Sequence, residues 1–129
     1  MAYEVNFTDG TVAKLVEDGI KDSTFSITLV GKNVTTYGEV FAENFIKLLE
    51  NNANTVAPSN PIKGQLWFNS SASTVSGIST KTLGVYNGIQ FKPLGGANIS
   101  ATEPSGPSIG DLWFDTTNDQ LKVYSGSAF

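Results

Sequence analysis

Two stretches of this 129-residue chain are variants of one another, and that duplication limits the folds open to it. "PIKGQLWFNSS" (Pro61–Ser71) matches "PSIGDLWFDTT" (Pro107–Thr117). Pro61 aligns with Pro107, Gly64 with Gly110, Leu66 with Leu112, Trp67 with Trp113 and Phe68 with Phe114. Downstream, "LGVYNGIQF" (Leu83–Phe91) matches "LKVYSGSAF" (Leu121–Phe129). The first copy is longer by eight residues, an insertion that falls within Ala72–Thr82. Both copies open on one preamble, "PSNP" at Pro58–Pro61 and "PSGP" at Pro104–Pro107.

Each copy reads as a β-hairpin. Leu112 and Phe114 fall on one face of a strand and Trp113 on the other. Thr116–Asp119 supplies a polar turn, and the chain resumes with Leu121 and Val123 alternating. Tyr86-Asn87-Gly88 and Tyr124-Ser125-Gly126 then turn it again, so that Phe91 or Phe129 starts a third short strand. A lone hairpin is marginal in water. The units are therefore expected to stack on neighbours or on other copies, with Trp67 and Trp113 at the contacts. Phe129 closes a unit without the strand that ought to follow, which predicts a longer array of such units.

The first fifty-odd residues follow another pattern. Tyr3, Val5 and Phe7 alternate, Asp9-Gly10 and Asp18-Gly19 mark turns around Thr11–Val16, and Phe25, Ile27 and Leu29 alternate along an expected third strand. After Gly31, Thr36 and Glu39 have the spacing of a capping box. Tyr37, Phe41, Phe45, Leu48 and Leu49 then recur at helical spacing as an apolar stripe, which Val40 and Ile46 widen. "ENNANTVAPSNP" and "GGANISATEPSGP" read as polar linkers. The fold class expected is β-rich α+β. A small domain of short strands and one amphipathic helix (residues 1–54) precedes two β-hairpin repeats (57–94 and 103–129) in an elongated arrangement.

Composition closes several functional routes. With neither Cys nor His, disulfides, thiolate metal sites, Cys nucleophiles and imidazole bases are excluded. All eight basic residues are Lys and the net charge is −4. Without a guanidinium for bidentate phosphate or base contacts, nucleic acid is not an expected partner. "MAYEVNFTDG" does not have the form of a secretory signal, and no apolar run is long enough for a membrane span.

The remaining polar residues suit turns better than catalysis. Asp111, Asp115 and Asp119 are four apart on strands and a turn, a spacing that does not converge them. "DTTNDQ" lacks the Gly and the terminal Glu of a calcium loop. No catalytic, cofactor-binding or metal residues are therefore expected, and the chain is read as a non-enzyme. Trp67 and Trp113 remain open to two readings, packing between hairpins or stacking against pyranose rings; their identical place in the repeat favours packing.

The sequence resembles a family. "LVGKN…YGEVFAENFIKLLENNAN…APSNPIKGQLWFN" resembles the N-terminal region of virion structural proteins of tailed bacteriophages, of the tail-fibre-like kind. The "PxxGDLWFD…LxVYxG…F" units are similar to hairpins along fibre and baseplate-associated proteins. The likeness runs from Leu29 onward, and the inserted first repeat departs from the compact unit. It implies a non-enzymatic structural role, as part of or attachment point for a tail-fibre or baseplate appendage, in a virion assembled in the host cytoplasm. The partners it implies are other virion proteins, with a homotrimer as the assembling unit. The expected interface residues are Tyr37, Phe41, Phe45, Leu48, Leu49, Trp67 and Trp113, with residues before about Asn54 docking to the particle. Alternatives are a carbohydrate-binding module recognising host surface glycans and a capsid decoration protein.

Overall fold

The computed structural model describes residues 1–129. The chain is β-rich, with ten short strands in four small sheets and one helix. Contacts divide it into two compact units, Met1–Glu50 and Asn51–Phe129.

In the first unit, β1 (Tyr3–Asn6) pairs antiparallel with β2 (Val12–Val16), and a bulge breaks the register between Val5 and Asn6. Gly10, at φ +85°, makes the turn between them, a conformation open to glycine. A second short pair joins β3 (Lys21–Asp22) to β4 (Leu29–Val30). The Tyr3 hydroxyl donates to the Val30 carbonyl across these two sheets. Gly31 has no room for a side chain, because a Cβ there would overlap the Glu17 carbonyl.

The alternation of Phe25, Ile27 and Leu29 does not produce a long strand. Residues 24–27 form a bend, and only Leu29–Val30 pairs. The segment is held by side chains instead. Phe25 packs edge-on to Phe7, with ring centroids 6.0 Å apart. Asn44 Oδ1 accepts the Thr28 N–H at 2.9 Å, and its Nδ2 donates to the Thr28 carbonyl at 2.7 Å.

Helix α1 spans Tyr37–Leu49. Thr36 is its N-cap residue but makes no side-chain cap hydrogen bond, so the capping box does not form. Asn51 and Asn52 both take left-handed φ of 54°, which ends the helix without glycine.

In the second unit, β5 (Leu66–Phe68), β6 (Leu83–Tyr86) and β7 (Phe91–Pro93) form an antiparallel sheet in the order β5-β6-β7. Further along, β8 (Asn98–Ser100), β9 (Leu112–Asp115) and β10 (Gln120–Val123) form a sheet in the order β10-β9-β8, with β8 parallel to β9. The two hairpins share a register. Leu66 faces Val85 as Leu112 faces Val123, and Trp67 faces Gly84 as Trp113 faces Lys122.

The segments read as linkers are partly structural. Asn98–Ser100 is the strand β8, and Asn54 forms a parallel bridge to Asn69 at the matching place in the first copy. Asn51 and Asn54 also exchange backbone hydrogen bonds with Phe68 and Ser70. Polar side chains do not prevent a short strand when the neighbouring strand offers a free edge.

Candidate functional site

The site begins with α1, which turns an unexpected line of residues inward. Val40 and Asn44 are its buried residues. They lie one helical turn apart, and Asn44 is tolerated inside because both ends of its amide are bonded to Thr28. The apolar stripe lies roughly a third of a turn round the helix from that line. Phe45 is 69% and Leu49 79% exposed, while Tyr37, Phe41, Ile46 and Leu48 are about half open. Tyr37 and Phe41 touch edge-on at 6.0 Å. Five of the residues expected at an interface thus share one uncovered face, whereas Val40 belongs to the interior.

The two tryptophans have the opposite fate. Trp67 and Trp113 are buried inside their own hairpins, not between hairpins. Phe91 meets Trp67 edge-on at 5.2 Å and tilts against Tyr86 at 5.3 Å. Phe129 does the same with Trp113 at 5.4 Å and Tyr124 at 5.2 Å. Each repeat closes its own aromatic cluster, because the turn after Tyr86 or Tyr124 swings a Phe back over the indole. Neither indole is available to an interface or as a platform for a sugar ring.

Ile78, within the eight-residue insertion of the first copy, completes the first cluster. It is fully buried against Trp67 and Phe91. Ser76 and Gly77, at φ 47° and 78°, form the turn that returns it to the sheet through a Val75–Ile78 bridge. Over the second tryptophan stands Lys122, its Nζ 4.5 Å from the ring centroid.

One repeat position carries a buried polar group in both hairpins. Asp115 accepts from the Thr117 N–H at 2.9 Å, from Asn118 Nδ2 at 2.8 Å and from Lys122 Nζ at 3.0 Å. The Asn118 amide, followed by the Lys122 ammonium, holds its carboxyl down to about 2. At the matching position Asn69 donates to the Ser73 and Ile78 carbonyls at 2.9 and 2.8 Å. The choice between acid and amide follows the loop: the compact turn offers N–H groups, while the insertion offers carbonyls. The coincidence of Asn69 with Asp115 in the repeat was the available sequence signal for both.

The two repeats are clasped by polar contacts. Lys92 Nζ meets Asp111 at 2.6 Å and the Gly106 carbonyl at 3.0 Å, and Gln90 Nε2 donates to that carbonyl at 2.6 Å. Burial alone would raise the Asp111 carboxyl; the Lys92 and Ser108 hydrogen bonds outweigh it and hold it below the ordinary value. A cleft of about 450 Å³ lies beside this clasp, bordered by Pro58, Tyr86, Ile89 and Ser105.

No group of three or more Asp or Glu side chains gathers as a metal site, and no helix is long and apolar enough to cross a membrane. The arrangement therefore presents an uncovered apolar helix face on one unit and self-contained aromatic hairpins on the other. No family model, curated protein or solved structure matches this chain.

Proposed function

We propose that this chain is a non-enzymatic structural protein of a tailed-bacteriophage particle, part of or attachment point for a tail-fibre or baseplate appendage. In this reading the unit Met1–Glu50 docks to the particle. The unit Asn51–Phe129 carries the two tandem hairpins.

The observation that carries the reading is the contrast between the two units. The stripe of Tyr37, Phe41, Phe45, Leu48 and Leu49 is apolar and open, and a contiguous apolar patch of this kind marks a protein contact. The hairpins have satisfied their large aromatics internally and have no comparable need. The resemblance of the α1 segment and of the GDLW units to phage virion proteins supports the same assignment. It also supports three copies of the chain as the assembling unit and other virion chains as the partner of α1.

The test is incorporation into particles. Phe45→Asp should abolish it, by placing a charge in a contact from which water is excluded. A chain lacking residues 97–129 should still incorporate. Particles that keep the Asp variant and lose the truncated chain would reverse the assigned polarity.

A further inference from the structure

The open face of α1 contains a finer pattern. Gly38, Ala42, Phe45 and Leu49 follow one another at intervals of four, three and four residues, the spacing of alternating seam positions in a pair of helices. Phe45 and Leu49 are the most exposed of the large apolar side chains on the helix, and Gly38 and Ala42 are exposed with them. Nothing stands within 4 Å of the Cβ that Gly38 lacks. The seam is therefore shallow in its N-terminal half and bulky in its C-terminal half. Phe41 and Leu48 flank it on one side and Ile46 on the other. Glu39 stands at the rim, while Glu43, Lys47 and Glu50 fall on the far side of the helix.

This seam fits its own reverse. In an antiparallel pair of α1 helices Gly38 faces Leu49 and Ala42 faces Phe45, and the twofold axis repeats both contacts. Each bulky residue then meets a small one. A parallel pair would set glycine against glycine and phenylalanine against phenylalanine, with a void at one end and crowding at the other. No charge enters the antiparallel seam. A partner of another shape, or a segment of the same chain, would need no match of the helix to itself. That match identifies the occupant.

We propose that two copies of the free chain pair through α1, antiparallel, with Leu49 and Phe45 of each seated on Gly38 and Ala42 of the other. The proposal rests on the reading of the stripe as a protein contact and names its occupant before docking. A second copy keeps the apolar face from water until the partner on the particle takes it. Thirteen residues give a seam only about 20 Å long, so the pair is weak and dissociates at the dilution of a melting experiment.

Sedimentation equilibrium of the full chain tests this, over about 5 µM to about 0.5 mM, where a small contact associates. The expected mass rises from one chain towards two. Gly38→Leu adds apolar surface where the fold has open space, yet it fills the notch and should weaken the pair by about tenfold or more. Leu49→Ala empties the facing position and should weaken it too. The double variant exchanges small for large across the seam and should restore the pair, with far-ultraviolet circular dichroism confirming the helix in every chain. A mass of one chain throughout would overturn the proposal and leave the particle contact of α1 standing. A mass of three chains, tighter association of Gly38→Leu, or a double variant that fails to pair would each overturn it as well. The first would mean a threefold contact, and the others an apolar contact without this register.

Discussion

Gly84 and Ile78 occupy one space between them. A Cβ on Gly84 would stand 2.6 Å from Cδ1 and 2.8 Å from Cγ1 of Ile78. In the other repeat the matching position is Lys122, which reaches over its tryptophan where Ile78 packs against Trp67. Inserting Ile78 and shrinking position 84 to glycine are therefore one change, made at two places in the sequence. Gly84→Ala should cost about 1–3 kcal/mol, because the added methyl overlaps the Ile78 side chain, itself buried against Trp67 and Phe91. Ile78→Ala should cost about 2–5 kcal/mol and leave a cavity beside Trp67. Urea unfolding measures both, and a red shift of tryptophan emission should accompany the second. A Gly84→Ala chain with an unchanged midpoint would refute the coupling.

Asp115 predicts an acid limb of the stability curve. Its folded carboxyl titrates near 2 against an ordinary 3.8, chiefly through Asn118 and then Lys122. A depressed carboxyl stabilises the native state at every pH above the ordinary value, and loses that contribution as the pH falls from 3.8 towards 2. Asp115→Asn should flatten this part of the curve and lower stability at neutral pH. It should not reproduce Asn69, because the turn at Thr117 and Asn118 presents donors and not carbonyls. Melting temperatures of both chains between pH 2 and pH 7 decide it; parallel curves would contradict the assignment.

Asn44 predicts a local failure in the first unit. Replacing it with Leu leaves both backbone groups of Thr28 without their partner, at a cost of about 1–3 kcal/mol. Hydrogen exchange should quicken first at Thr28 and its neighbours. Uniform acceleration across the unit would mean instead that Asn44 holds the whole unit together.

Phe45 predicts function without stability. With 69% of its surface exposed, Phe45→Asp should change the unfolding free energy by no more than about 0.5 kcal/mol. Thermal melts of the isolated chain test this beside the incorporation assay, so that a lost contact is separated from a lost fold.

How much of this was legible in advance depends on the range of the interaction. The duplication, the hairpins, the aromatic and β-branched strands and the helix over Tyr37–Leu49 are written in local pattern, because hairpins and helices are closed by residues near in sequence. The apolar stripe was legible for the same reason. Which residues of α1 turn inward was not: Asn44 is held by the backbone of Thr28, sixteen residues upstream, and Val40 lies on the same side one turn earlier. The linkers likewise look featureless alone and become strands only where β9 or Asn69 offers unpaired backbone. The fate of the tryptophans was also a matter of tertiary structure. Their composition suits an interface and a core equally, and only the turn that returns Phe91 and Phe129 over the indoles decides between them. Sequence by itself thus determined the hairpins, the helix and their repetition, through short-range hydrogen bonding and periodicity. The tertiary structure decided which apolar surface was already spent inside the chain and which was left open, because burial depends on what lies opposite and not on what lies next.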